Sequence, residues 1–451
     1  MPGSRGRTTA PSRSAAADDG PIARPGGSPS PAEPRRALSG SATRLGQLAN
    51  DAALLRLLGR PLLRFLPVLS VGRVVVVSRH ADVLDVLERD EDFTIAEVNA
   101  ATMDRINGPF VLGMDRSELY TRERSILDRC VHPDDPARIR RDVASTAADL
   151  LAAAAPRGRI DVVQELARPA ATRLAASYLG VPGPDEATMM RWMRLLFWEA
   201  FLNTGGDREV RRAGERAAAE FHAHVDGLVV DRRAEPAGTP HDDLLRRLAH
   251  LRTDGARLSD EAVRRCVSGV VVGAVETTTK ATAHAVDQLL RRPEALQGAA
   301  RAAREGDVAV VAQYVVEALR FNPLTPVLVR HAARPAVVAA GTPHERHVPA
   351  GRTVYAAALP AMFDPRTFDD PHTFRHDRQP AADLLFGYGM HACFGRYVNL
   401  VSIPELVTAL LRCGGVRRAP GPAGRMRYEG PFPDRLLVDL DPAGTPDGGR
   451  A

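Results

Sequence analysis

A chain of 451 residues with 44% hydrophobic content is long enough for one very large domain or two to three ordinary ones. Much of its formal net charge of +5 sits in the first forty residues, so the rest is close to neutral and carries no nucleic-acid footprint. Four cysteines, at 130, 266, 393 and 413, include no C-x-x-C pair and no zinc spacing, and no run approaches the roughly twenty apolar residues of a membrane helix. Reduced thiols and the lack of an apolar N-terminal leader region predict a cytoplasmic protein with no membrane partner.

Residues 1–42 are rich in Ser, Pro, Gly and Arg and are predicted to be a disordered tail. Residues 43–440 read as one domain, and 441–451 as a flexible C-terminus. The β-branched run Arg73–Ser78 predicts a strand, and the spacing of Val83, Leu84, Val86 and Leu87 predicts a helix over Ala81–Arg89. From about Ser117 to Leu290 helical patterns dominate, broken at Pro133, Pro156, Pro182 and Pro236. The longest, 259–290, has Ser259 as its cap and is apolar nearly all round from Val267 to Val275, which predicts an interior position. Helices near 293–304, 308–320 and 395–412 follow, with short strands and loops beyond Pro323. The fold class is therefore mainly α, with a small β-rich subdomain assembled from both ends of the chain.

Phe386-Gly-Tyr-Gly-Met-His-Ala-Cys-Phe-Gly395 carries the most chemistry. Gly387, Gly389 and Gly395 let the backbone fold tightly and approach a flat ligand. Cys393 precedes an apolar helix whose free amides favour a thiolate. The stretch resembles the haem-binding signature of the cytochrome P450 family, F-G-x-G-x-H-x-C-x-G, with every fixed position filled. The resemblance covers about residues 45–440 and implies the P450 fold, with haem b (iron protoporphyrin IX) between the long central helix and the cysteine-loop helix. It makes Cys393 the iron ligand and places Phe386, Gly387, His391 and Gly395 against the cofactor.

Glu317-Ala-Leu-Arg320 resembles the family's E-x-x-R motif, with Arg378 as the third member of a structural triad. Gly273-Ala-Val-Glu-Thr-Thr278 is similar to the A/G-G-x-D/E-T-T motif, which implies that Thr277 bonds the dioxygen or its water and that Glu276 connects it to solvent. Ala274 stands where a glycine is usual. Arg330 and Arg124, with His391, fall where haem carboxylates are held, and Tyr120 stands where the family has a histidine. The resemblance puts the substrate against 93–111, 189–203, 271–275, 324–329 and 430–432, with Phe197, Phe201, Val272, Leu324, Val327 and Phe432 as candidate contacts.

The implied activity is a monooxygenase acting on a mainly apolar small molecule, in secondary metabolism. No flavin or iron–sulfur motif is fused, so a separate ferredoxin or flavodoxin and its reductase are the expected electron donors, to a monomer. Two other readings stand beside this one. The first is a peroxide-using or hydroperoxide-rearranging haem-thiolate enzyme, and the second is a non-catalytic haem or carrier-protein binding module.

Overall fold

A computed structural model describes residues 52–203, 205–236, 242–253, 255–378 and 384–441. The expected tail 1–42 and all but the first residue of 441–451 lie outside these.

The helix Asp260–Leu290, 31 residues and therefore about 46 Å long, is the axis of the molecule. The Ser259 side chain accepts from the Ala262 N–H at 3.2 Å and caps it, as the sequence predicts. Val263, Cys266, Val267, Val271 and Val275 are fully buried, because helices pack on several sides. Those in contact with it include Arg168–Ser177, Glu186–Phe201, Arg208–Ala234, Leu244–His250, Pro293–Glu305, Val308–Phe321 and Arg396–Arg412. The helix Asp135–Ala154 packs in turn on Arg396–Arg412, here called the cysteine-loop helix.

The β-rich part is built from both ends of the chain. Strands Val68–Val71 and Val74–Val77 form a hairpin turning at Gly72, whose φ of +56° suits glycine. Thr353–Ala356 pairs parallel with the second of these, Leu328–Ala332 pairs antiparallel with Thr353–Ala356, and Phe93–Thr94 closes the sheet. The expected strand Arg73–Ser78 and helix Ala81–Arg89 are found as Val74–Val77 and His80–Glu88. The helix Ala52–Phe65 was not legible in the pattern, since Pro61 lies inside it and Leu57, Leu58 and Phe65 stay exposed.

Two smaller pieces position the site. A six-residue π-helix, Val162–Ala167, runs straight into Arg168–Ser177 and brings Arg168 against the central helix. Further along the chain, the hairpin Arg427–Glu429 and Phe432–Arg435 lies on the helix Glu186–Phe201. Its turn residue Gly430 has φ +56°, and a Cβ there would stand 2.3 Å from the Trp198 ring, so only glycine lets the turn settle there. Among the described residues no helix is long and apolar enough to cross a membrane.

Candidate active site

The cysteine loop folds on its own backbone. The Cys393 N–H donates to the Phe386 carbonyl at 2.7 Å, closing the loop, while Gly387 and Gly389 take φ of +70° and +68°. A Cβ on Gly389 would lie 2.6 Å from the Leu87 carbonyl oxygen, which ties the loop to the helix His80–Glu88. Gly395 begins the cysteine-loop helix, the Arg396 N–H donates to the Cys393 carbonyl at 3.3 Å, and the amides of Gly395 and Arg396 favour the ionised form of the Cys393 sulfur. Burial pushes the thiol up and these amides, with Arg124, pull it back, leaving a net rise. Cys393 is nonetheless exposed. A thiol surrounded by protein yet reached by solvent lies at the bottom of a recess.

Below that loop the E-x-x-R pair is a closed network. Arg320 donates from Nε and Nη2 to the two Glu317 oxygens at 2.7 and 2.8 Å, and its other N–H groups reach the carbonyls of Met362 and Pro371. Arg378 Nε joins Glu317 at 3.3 Å and also binds the carbonyls of Asp369, Asp370 and Thr373. The Arg375 N–H adds a 2.9 Å bond to Glu317, so every charge has a partner.

On the loop's other flank, four donors gather. Tyr120 donates its hydroxyl to the Met390 carbonyl at 2.5 Å and meets the His391 ring edge-on at 5.6 Å. Arg124 donates to the Ala392 carbonyl at 3.2 Å while pairing with Asp128. Arg330, 4% exposed, donates only to its own neighbour's carbonyl, that of Val329, and no carboxylate lies within ion-pair distance among the described residues. Burial lowers its pKa to about 10. Burial, with Arg330 and Arg124 nearby, holds His391 down at about 4, so its ring is neutral at pH 7.

The central helix passes opposite the loop, joined to the cysteine-loop helix by the 2.7 Å bond from Thr278 to Asn399 Oδ1. Its middle is buried except for Val270, Gly273, Ala274 and Thr277, which lie at i, i+3, i+4 and i+7 and so share one face. A Cβ at Gly273 would meet nothing within 4 Å, so this face opens onto free space.

The Thr277 hydroxyl donates back to the Gly273 carbonyl at 2.5 Å. Glu276 does not connect to solvent as expected: it is fully buried. Its Oε2 accepts from Arg194 at 2.7 Å, and its Oε1 pairs with Arg168 at 3.3 Å. Arg194 also pairs with Glu429 at 2.8 Å. Burial alone would raise the Glu276 pKa; the two guanidiniums outweigh it and the net shift is downward, so the carboxylate stays ionised. Sequence reasoning missed Arg168, Arg194 and Glu429, because they come from three distant elements with no shared motif.

The apolar candidates divide. Phe197, Phe201 and Phe432 come together, with ring centroids 4.7 and 5.2 Å apart. Met189, Met193 and Leu196 on the same helix are fully buried in the main core. Val272 is buried, and Leu324 and Val327 are half-buried on the approach to strand Leu328–Ala332.

The sequence profile of the family described as Cytochrome P450 matches residues 186–413, from the helix bearing Arg194 to the end of the cysteine-loop helix. The chain belongs to the cytochrome P450 family. It is 31% identical to cytochrome P450 monooxygenase PikC of Streptomyces venezuelae over 62% of each chain. It is 30% identical to cyclomarin C epoxidase CymV of Salinispora arenicola over 60% of this chain and 65% of that one. The matched stretch therefore spans under two thirds of either relative. In three dimensions it resembles the structure of CalO2, with a TM-score of 0.76 at 28% identity, over 88% of this chain and 98% of CalO2.

P450s carry haem b on a cysteine thiolate, and the residues present suit it. The Cys393 thiol is exposed at the start of the cysteine-loop helix, whose first amides favour its ionised form, and beside His391 and Arg124 the buried cation Arg330 has no carboxylate within ion-pair distance among the described residues. That is the donor set a pair of haem carboxylates needs.

Proposed function

We propose that the protein is a haem-thiolate monooxygenase that places one oxygen atom of O2 into a mainly apolar small molecule, in secondary metabolism. The observation that carries this reading is the cysteine loop, closed by the bond from the Cys393 N–H to the Phe386 carbonyl, which leaves an exposed thiol at the start of a helix joined to the central helix through Thr278 and Asn399. Bound haem supplies the iron at which O2 is bound and reduced. Cys393 would hold it from one side, while Arg124, Arg330, His391 and Tyr120 would hold its carboxylates, with Phe386, Gly387 and Gly395 lining the loop.

On the other side Thr277 is the hydroxyl nearest the open face. To donate into the recess it would turn away from the Gly273 carbonyl. Glu276 holds no proton to give at neutral pH, since its two arginines keep it ionised; its role is to fix Arg194 and Arg168 behind the groove. Ala274 adds one methyl to the groove wall beside Gly273. Phe197, Phe201 and Phe432 form an aromatic wall, and Val272, Leu324 and Val327 extend the apolar lining. The relatives support the assignment to secondary metabolism: CymV is named for an epoxidation and another relative, PksS of Bacillus subtilis, for polyketide biosynthesis. Electrons would come from a separate ferredoxin or flavodoxin with its reductase, docking near the exposed Arg396 on a cytoplasmic monomer.

The test is the carbon-monoxide difference spectrum of the dithionite-reduced protein. A red-shifted Soret band in the wild type, absent in Cys393→Ala, is expected; haem uptake without that band, or no haem, refutes the reading.

A peroxide-using enzyme is favoured by one observation, the locked state of Glu276. Product formation from hydrogen peroxide at a rate equal to that with O2 and a reductase system would establish it. The O2-dependent reading expects peroxide to be the poorer oxidant.

A further inference from the structure

One side chain on the central helix has no place in the chemistry above. Lys280 is the only lysine of the chain; all other members of its 60 Lys and Arg residues are arginine. In so arginine-rich a background the single ammonium stands out, and it is 9% exposed. It lies three residues past Thr277 and seven past Gly273, on the flank of the open stripe. Its Nζ sits 5.6 Å from the centre of the Phe432 ring, which packs against Phe197. No carboxylate lies within 4 Å of it among the described residues.

The charges around it do not balance. Arg168 and Arg194 take up Glu276 and Glu429, and Lys280 adds a third positive charge whose charged neighbour is Arg194. One buried positive charge is left over, and burial of such a charge is costly without an anion. Burial and the neighbouring Arg194 push its pKa down to about 8. Beside it stands the Phe432 ring, which continues through Phe197 to Phe201.

We propose that Lys280 anchors an anionic group of the substrate, so that the distal recess takes an apolar carboxylic acid. The proposal rests on the monooxygenase reading and narrows its substrate class. The acid's oxygen would take the ammonium's hydrogen bonds, while its hydrocarbon or aromatic body lies along Phe432, Phe197 and Phe201. Lysine suits this better than arginine. An amine can shed its proton while the recess lacks an anion and regain it on binding, whereas a guanidinium cannot.

The groups around Lys280 leave it as the one that titrates near neutrality. On its own helix, Glu276 is held ionised by its arginines, and burial holds His284 at about 3, neutral, with its Nδ1 3.1 Å from the Asn322 carbonyl. From the helix Glu186–Phe201 comes Arg194, held charged by Glu276 and Glu429. Arg168 and Glu429 complete the set as the outer partners of the ion pairs.

The experiment uses the haem-loaded full chain and two matched probe pairs, decanoic acid with decanamide and 4-phenylbutyric acid with its amide. Binding is read at pH 7 by the haem spin-state shift and by calorimetry in two buffers of different ionisation heat. Each acid is expected to bind tighter than its amide on the order of tenfold, as for a charge-assisted hydrogen bond. The preference should fade as pH rises from 8 to 10, and binding near pH 8.5 should take up protons. Lys280→Met should bring the acid's affinity down to the amide's, and Lys280→Arg should keep part of the preference. Acids that bind no better than amides overturn the proposal, as does a preference that survives in Lys280→Met. Should Lys280→Met fail to fold, a wild-type preference flat from pH 6 to 10 overturns it equally. Loss of the thiolate band in the wild type strikes the haem reading instead, so the two failures are separable.

Discussion

Two buried ion clusters flank the proposed haem site, and they are built on opposite rules. Beneath the cysteine loop, Glu317, Arg320 and Arg378 are closed: two guanidiniums share one carboxylate and spend their remaining N–H groups on five backbone carbonyls. Behind the central helix, Glu276, Arg168, Arg194 and Glu429 pair off and leave Lys280 over, against the Phe432 ring. A cluster saturated by backbone oxygens is a structural clamp, because no ligand can improve on partners already in place. A cluster with a surplus charge next to a recess invites a ligand to complete it. The difference separates the wall that holds the fold from the wall that meets the substrate.

That contrast gives an order of expected effects. Glu317→Ala leaves the buried Arg320 and the half-buried Arg378 without their carboxylate, and should cost about 3–5 kcal/mol in urea unfolding, together with haem uptake. A loss under about 1 kcal/mol would show that backbone carbonyls alone satisfy the cluster.

Glu276→Gln should cost less, about 1–3 kcal/mol, because the amide still accepts a bond and Arg194 keeps Glu429. The sign of its pH effect follows from the lowered pKa. The Glu276 carboxylate contributes stability above its unfolded value of 4.5 and loses it as pH falls through the depressed folded value. Below pH 4.5, the thermal midpoint of the wild type should therefore fall more steeply than that of the Gln variant. Parallel curves would mean the two arginines are compensated by something other than this carboxylate.

Thr277→Val removes only a bond back to the preceding helical turn, so the thermal midpoint should move by less than about 1 kcal/mol equivalent. Reduced coupling of O2 use to product, seen as more peroxide released per turnover, is the expected functional change; unchanged coupling would favour the peroxide reading. The smallest effect belongs to Tyr120→Phe. It deletes one hydrogen bond to Met390, worth about 1 kcal/mol, and should speed haem loss to apomyoglobin modestly. No change in that rate would remove Tyr120 from the cofactor's surroundings.

How far the sequence could be read depended on distance along the chain. Glu317 and Arg320 are one helical turn apart, so their pairing is local geometry, and the cysteine loop is ten consecutive residues. The capped central helix and the strand at Val74–Val77 were legible for the same reason: a cap and a β-branched run are local. The helix Ala52–Phe65 was not, because an internal proline and an exposed apolar face obscure its period. Met189 and Met193 show the converse, sharing a helix with Phe197 while facing the core instead of the aromatic wall.

The order of residues alone determined the family, the cysteine that would bind iron and the helix that faces it, because each is written in contiguous chemistry. Only the tertiary structure decided what Glu276 does. Its partners Arg168 and Arg194 arrive from a π-helical corner and from a separate helix, and their charges turn an expected proton carrier into a locked anion. The same packing decided that the chain's one lysine is buried against the Phe432 ring, with no carboxylate within ion-pair distance among the described residues. Charge balance in a protein interior is a sum over elements that meet only when the chain has folded.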